Sequence, residues 1–222
     1  MSTYYSQYGQ DRFLHLNVFK GFKNGFFVDV GAHDGKSLNN TLFFEEILGW
    51  KGINIEPIPS VYNALTVNRP RCLNINCAID KKDGSANFYQ NTGHTEMLSR
   101  LESHYDSRHM ERCKAENAEH GSTTTVVVVP TKRLETIFDD YPVTHIHYLS
   151  IDVEGAEKAV IESINFNKVF IDVIEFENNY PGSSNSIIEY LQDKGYRMIN
   201  IHGLDIFMIH TQSQFMIHNL SE

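Results

Sequence analysis

The chain has 222 residues, of which 41% are hydrophobic and 21% charged, and a formal net charge of -9. That length suits one well-filled α/β domain over residues 1–222 and is short for two. The charge excludes a general nucleic-acid binder, which needs a basic surface. No 18-residue apolar stretch exists to span a bilayer, and Met1–Gln7 lacks the basic and apolar segments of a secretory leader, so a cytoplasmic protein is expected.

Within that domain the pattern predicts an N-terminal cap over 1–24, with a loop leading into a short helix near Phe13, Leu14 and Leu16. Phe26–Val30 is a strand that stops at Gly31 and Gly35, where a tight turn with close backbone approach is expected. Ser37–Leu48 has helical apolar spacing and Gly49 to end it. Gly52–Glu56 reads as a second strand, stopped by Pro57 and Pro59, and a helix follows over Ser60–Asn68. Leu73–Ile79 alternates as a third strand, with a turn at Asp80–Gly84 leading into Ala86–Tyr89. From about 91 to 122 a polar stretch rich in His, Tyr and Arg, Tyr105 among them, reads as an insertion over one end of the sheet. Thr123–Val129 is β-branched and extended, a strand or edge leading to Pro130. After a helix at Leu134–Phe138 come the strand His145–Asp152, the helix Lys158–Ile164 and the strand Val169–Glu177. Asn178–Gly182, through Tyr180 and Pro181, breaks that strand, and Ser183-Ser184 caps a helix ended by Gly195. Tyr196–His202 and Asp205–Thr211 complete the pattern as an antiparallel pair at one edge.

Alternating strands and helices imply a mostly parallel sheet with helices on both faces, and such sheets bind ligands beyond the carboxyl ends of their strands. Asp29, Glu56, Asp152 and Glu175 fall near those ends. Gly31 and Gly35 would let backbone N–H groups approach a ligand, while Glu56 can accept two hydrogen bonds from ribose hydroxyls, so a nucleoside cofactor is expected. The turn reads Gly-Ala-His-Asp-Gly rather than the dinucleotide fingerprint. Asp29 before it would repel a pyrophosphate but could organise a turn or water around the cationic amino-acid end of S-adenosylmethionine.

Cys72, Cys77 and Cys113 form no CxxC pair and are expected as free thiols, and no H-E-x-x-H pattern is present. Glu177 shares a face with Glu175 by the two-residue strand period.

The sequence resembles the FkbM-type methyltransferases, class I S-adenosylmethionine-dependent enzymes that mostly methylate hydroxyl groups. The likeness rests on Ser6-Gln-Tyr-Gly-Gln-Asp11, Phe27-Val-Asp-Val-Gly-Ala-His-Asp-Gly35, Ile55-Glu-Pro57, Ala78-Ile-Asp80, Ile151-Asp-Val-Glu-Gly-Ala-Glu157 and Ile174-Glu175. It implies a Rossmann-like fold with a seven-stranded, mostly parallel sheet carrying an antiparallel edge strand. It further implies that Asp29, Gly31, Ala32, Gly35 and Ser37 form the cofactor turn and that Glu56 with Pro57 meets the ribose. Ala78, Ile79 and Asp80 would surround adenine, and Gln10 and Asp11 would close over the methionine end or meet the acceptor. Asp152 would bring the acceptor to the methyl group and is counted with the cofactor-binding residues as well.

Two activation routes fit a hydroxyl acceptor. A carboxylate among Asp152, Glu175 and Glu177 acts as general base, or these three hold a divalent ion that lowers the hydroxyl pKa. Oxygen ligands suit Mg, Mn or Ca better than Zn, a preference that His94, His202 or His210 could shift, and His94 joins the candidate catalytic residues. Glu154 and Glu157 read as helix-start acids, Glu154 still within reach of the site. The resemblance points to a sugar or glycan acceptor. A nicotinamide-dependent oxidoreductase and a non-catalytic nucleoside-cofactor module are the alternatives, the first weakened by the missing G-x-G-x-x-G. No heptad pattern sets an oligomeric state.

Overall fold

In the computed structural model the described residues are 3–104, 106–179, 182 and 184–215. Tyr105 of the insertion, and Tyr180, Pro181 and Ser183 of the strand break and helix cap, lie outside them. In chain order the strands are β1 (Phe26–Val30), β2 (Lys51–Ile55), β3 (Leu73–Ile75), β4 (Ala78–Ile79), β5 (Gly84–Asn91), β6 (Arg100–Leu101), β7 (Thr124–Lys132), β8 (His145–Ile151), β9 (Phe170–Glu177), β10 (Tyr196–His202) and β11 (Asp205–His210). The helices are α1 (Gln10–Phe13), α2 (Leu42–Leu48), α3 (Pro59–Asn68), α4 (Ser107–His120), α5 (Leu134–Asp140), α6 (Glu157–Glu162) and α7 (Asn185–Asp193).

The main sheet has seven strands in the order β10-β11-β9-β8-β1-β2-β3. Pairs β9-β8, β8-β1, β1-β2 and β2-β3 are parallel, whereas β11 runs antiparallel to both β9 and β10. The reversed strand therefore sits one place in from the edge. The chain winds outward from β1 in both directions, so the switch point lies where β1 neighbours β8, and a crevice opens beyond the strand ends there.

Alternation along β1 explains how the sheet is covered. Val28 and Val30 join the core under α5, α6 and α7 with Ile137, Leu149, Val160 and Leu191. Phe27 joins the opposite core with Leu14, Phe19, Phe43, Phe44, Trp50 and Tyr148. Each such fully buried side chain contributes on the order of 1.5–3 kcal/mol, so both faces are firmly sealed. Asp29, in register with Ser150 of β8, emerges on the aromatic face at the point where the helix cover stops.

Several sequence expectations change. The third strand is divided: β3 stays in the main sheet and β4 leaves to pair with β7 in a second sheet ordered β4-β7-β5-β6. Between them the Asn76 amide donates to the carbonyls of Glu56 and Pro57, at 2.8 and 3.0 Å, and diverts the chain. β7 is an interior strand that runs through Pro130 rather than an edge leading to it. α2 begins at Leu42 instead of Ser37, because Leu38 is left-handed (φ 54°) and the Asn39 side chain accepts the N–H groups of Thr41 and Leu42. The short N-terminal helix continues as a π-helical stretch to Phe19, which plants Leu14, Val18 and Phe19 in the aromatic core. Residues 93–98 and α4 of the polar stretch lie over the second sheet's end of the crevice. Among the described residues no helix is long and apolar enough to cross a membrane.

Candidate active site

A cavity of about 400 Å³ occupies the crevice at the switch point. Its floor is made by the ends of β1, β2 and β8. Gly31, with φ 87°, continues the β1 ladder past the strand, and an added Cβ would lie 1.8 Å from the Asp152 carbonyl oxygen. Only a glycine lets the two strand ends run side by side there. Ala32 follows, its N–H on the Ile55 carbonyl at 3.1 Å, which ties the turn to β2.

Asp29 does not reach freely into the cavity. Its carboxylate accepts the Asn39 amide at 2.9 Å and the Thr41 hydroxyl at 2.8 Å. Burial raises its pKa even though the Arg69 guanidinium and those two bonds pull the other way. Arg69, fully buried, ties the rest of the loop: it bonds Glu45, the Gly35 carbonyl at 3.1 Å, Asn39 at 3.0 Å and Thr41 at 3.1 Å. Burial would raise Glu45, but Arg69 outweighs it and holds that carboxyl low. Gly35 belongs to this packing and not to the cavity wall, since a Cβ there would strike Arg69 and Leu65 at 2.6 Å.

Glu56 lines the cavity at the end of β2. Its two oxygens accept the backbone N–H groups of His33 (3.1 Å) and Ile58 (2.7 Å), and further lone pairs of the carboxylate are left for a ligand. Burial, helped by the charges of Glu96 and Asp29, raises it to about 7. Beyond it lies an apolar wall of Ile58, Ala78, Ile79, Phe88, Leu98 and Leu101, with Pro57 alongside. Asp80 is outside this wall, bonded to His104 at 3.1 Å. Ser37 lines the opposite margin, its hydroxyl on Asp34 at 2.7 Å.

The acids at the far end are rearranged relative to the sequence reading. Asp152, Glu154 and Glu177 offer carboxylate oxygens within 4.8 Å of one another, and all three line the cavity. Glu175 is excluded from the group. It points to the aromatic face, where the Tyr148 hydroxyl donates to it, and burial raises its pKa well above normal. Glu154 takes its place because Val153-Glu154-Gly155 turns sharply, with Glu154 itself left-handed at φ 54°. The Asn179 amide bridges the cluster, 2.6 Å from Glu177 and 3.2 Å from Glu154.

Asp152 is open to the cavity, yet the cavity is walled by protein. That enclosure and the charges of Asp205, Glu157 and Asp29 raise it to about 7, although a hydrogen bond shared with Glu177 works against the rise. Burial and then Asp152 push Glu177 up to about 10, and the same two causes raise Glu154.

Gln10 and Asp11 stand behind the cavity rather than on it. Asp11 accepts the N–H of Tyr5 at 2.6 Å and the hydroxyl of Ser6 at 2.6 Å, which folds the N-terminal turn. Gln10 donates to Asp205 at 2.6 Å and so pins that turn to β11. Their effect is to place Gln7 and Tyr8 on the cavity rim. His94 is also at the rim, its ring 3.9 Å from that of His120. The sequence reading missed Tyr8, Asn39, Asn40, Met97, Arg112 and Leu204 as lining residues. The Asn39-Asn40-Thr41 run before an apolar helix was a readable cap signal for one of them.

A strand-end cavity with an apolar pocket, a carboxylate at the end of β2 and a separate acidic end has the form of a site for a nucleoside cofactor beside a second substrate. With the family match that follows, this sheet is that of a class I S-adenosylmethionine-dependent methyltransferase. The family model of the methyltransferase FkbM domain matches residues 29–198, and the chain belongs to that family. Methyl transfer thereby replaces the nicotinamide alternative. Among solved structures, the methyltransferase FkbM of Methylobacillus flagellatus KT is similar at 13% identity and a TM-score of 0.50, over 85% of this chain and 44% of that one. This chain thus spans less than half of that relative. Fibrillarin of Aeropyrum pernix, solved with natively bound S-adenosyl-L-methionine, aligns at 11% identity and a TM-score of 0.49, over 85% of this chain and 68% of that one. The first of these likenesses, that to the methyltransferase FkbM, concerns the fold alone. No curated protein matches the chain.

Proposed function

We propose that the chain is an O-methyltransferase acting on a sugar hydroxyl of a glycan or glycoconjugate. The observation that carries this reading is the placement of Asp152, Glu154 and Glu177 in the same cavity as Glu56 and the apolar wall. S-adenosylmethionine supplies a sulfonium methyl, whose carbon takes a lone pair from the acceptor oxygen as the carbon–sulfur bond breaks. The chain's part is to hold and prepare. Glu56 takes the ribose hydroxyls, Ile79 and Phe88 enclose the base, and the loop fixed by Asp29 and Asn39 borders the methionine end.

An alcohol is a weak nucleophile at neutral pH, so its proton must be drawn off during attack. Asp152, at the junction of the two halves, is the acceptor for that proton, and the neighbouring carboxylates orient the hydroxyl. A divalent ion held by the same acids would serve the same end by lowering the hydroxyl pKa. The lining also favours a neutral polyol over an anionic substrate. It carries Asp29, Glu56, Glu96, Glu116, Asp152, Glu154 and Glu177, against Arg112 as the Lys or Arg among its described residues.

The test is incubation of candidate glycans with the chain and S-adenosylmethionine, read by mass spectrometry. A mass gain of one methyl group that replaces a hydroxyl hydrogen is expected. Absence of S-adenosylhomocysteine binding in calorimetry would sink the reading altogether, and methylation at nitrogen or carbon would overturn the hydroxyl assignment.

A further inference from the structure

A buried histidine meets the acidic end through a nitrogen that lacks a hydrogen-bond partner. His109, on α4, is 2% exposed. Its Nε2 lies 3.1 Å from the Leu98 carbonyl oxygen, which only accepts, so Nε2 carries a proton and donates it there. Nδ1 is left as the outward nitrogen. It has no hydrogen-bond partner and stands 3.4 Å from Oε2 of Glu154. With the ring neutral and Glu154 ionised, a nitrogen lone pair faces a carboxylate inside the protein, an arrangement that repels unless a shared proton or a cation lies between them.

The surroundings suit such a cation. Glu154 belongs to the trio with Asp152 and Glu177, whose oxygens lie within 4.8 Å of one another. Around an ion with bonds of about 2.1 Å, donor atoms stand about 3 Å apart when adjacent and about 4.2 Å apart across the ion, so a small contraction brings the three carboxylates onto one ion. Nδ1 of His109, which lies outside that 4.8 Å set, reaches it from the Glu154 side by turning inward. The outer supports are in place as well. The Asn179 amide holds Glu154 and Glu177, and the Nε2 donation of His109 to a carbonyl is the usual second contact of a metal-bound imidazole. Arg112, one turn along α4, has its Nε 2.8 Å from Glu116, and one guanidinium does not balance three carboxylates.

We propose that Asp152, Glu154, Glu177 and Nδ1 of His109 form a binding site for one divalent cation, with Mn²⁺ preferred over Mg²⁺ and Ca²⁺. Three carboxylates alone would suit any of the three ions, whereas an imidazole nitrogen tilts the choice toward a first-row transition metal. The ion's part in activating a hydroxyl rests on the function proposed above; its binding does not.

The test uses the full chain, stripped with a chelator and titrated with Mn²⁺ while the free-ion electron paramagnetic resonance signal is followed. One ion per chain is expected, with a nitrogen coupling from His109 in the pulsed spectrum. His109→Ala and Glu154→Gln should each weaken binding about 10–100-fold, and His109→Ala should abolish the nitrogen coupling while S-adenosylhomocysteine still binds. His109→Gln serves if the alanine variant fails to fold, and the wild-type nitrogen coupling needs no variant at all. No binding at millimolar Mn²⁺, no nitrogen coupling, or affinity unmoved by the variants overturns the site and assigns the cluster to shared protons. Mn²⁺ binding without S-adenosylhomocysteine binding supports the site and refutes the methyl-transfer reading; the reverse result refutes the site alone.

Discussion

The two ends of the cavity are built on opposite electrostatic plans. At the turn after β1, Asp29, Asn39, Thr41, Glu45 and Arg69 form a closed network in which donors and acceptors are matched and largely hidden from solvent. At the ends of β8 and β9, three carboxylates crowd together with the Asn179 amide shared between two of them. A satisfied network fixes shape, and an under-neutralised one stores a demand for protons or cations. In the function proposed above, the first end holds a ligand still and the second takes part in the reaction.

The sharpest way to break the contrast is Arg69→Met. It leaves buried Glu45 with exposed Arg71, 3.0 Å away, as its remaining cation, so the penalty should be about 3 kcal/mol of unfolding free energy, the low end for a broken buried pair, read as a lowered denaturant midpoint with loss of S-adenosylhomocysteine binding. A loss below about 1 kcal/mol would show that the turn does not depend on the network. Asp152→Asn probes the other end. Methyl transfer should fall about 10²–10³-fold, while the dissociation constant for S-adenosylhomocysteine changes by no more than about threefold. Equal losses of rate and affinity would make Asp152 a structural residue.

A smaller effect separates the ends by pH. Glu56 is raised from 4.5 to about 7, so the folded chain binds the extra proton between those values. The stability this group contributes is fully present below pH 4.5 and is lost as pH rises through about 7. Ribose hydroxyls donate to the ionised form, and S-adenosylhomocysteine should bind about tenfold more tightly at pH 8 than at pH 6. In Glu56→Gln the amide must turn its NH₂ toward one of the backbone donors, which removes the slope and some affinity. A wild-type affinity that is level with pH would deny Glu56 its ribose.

The parts legible in the sequence were those fixed by short-range chemistry. The β-branched and aromatic runs of β1, β8 and β9, the stop at Gly31 and the position of Glu56 follow from local pattern and strand-end logic. What the sequence hid was set by distant partners. Leu73–Ile79 alternates throughout, yet Asn76 bonds back to Glu56 and Pro57 and splits it. Gly35 answers to Arg69 and Leu65, which follow it by some thirty residues. Glu175 obeys strand alternation and is carried to Tyr148, while the left-handed turn at Glu154 delivers an acid that a helix-start reading would assign to the dipole.

The bond from Gln10 to Asp205 joins residues 195 positions apart, and His202 meets the Tyr8 carbonyl at 2.6 Å. Closing so long a loop is entropically slow. During synthesis the segment that carries Tyr8 is made early and can pack Tyr4 and Leu14 near Phe43, yet the bonds of Tyr8 and Gln10 themselves wait until β10 and β11 have emerged from the ribosome and paired. The rim of the cavity is therefore finished late, and a nascent chain would gain the turn after β1 well before it could shut one side of the cavity.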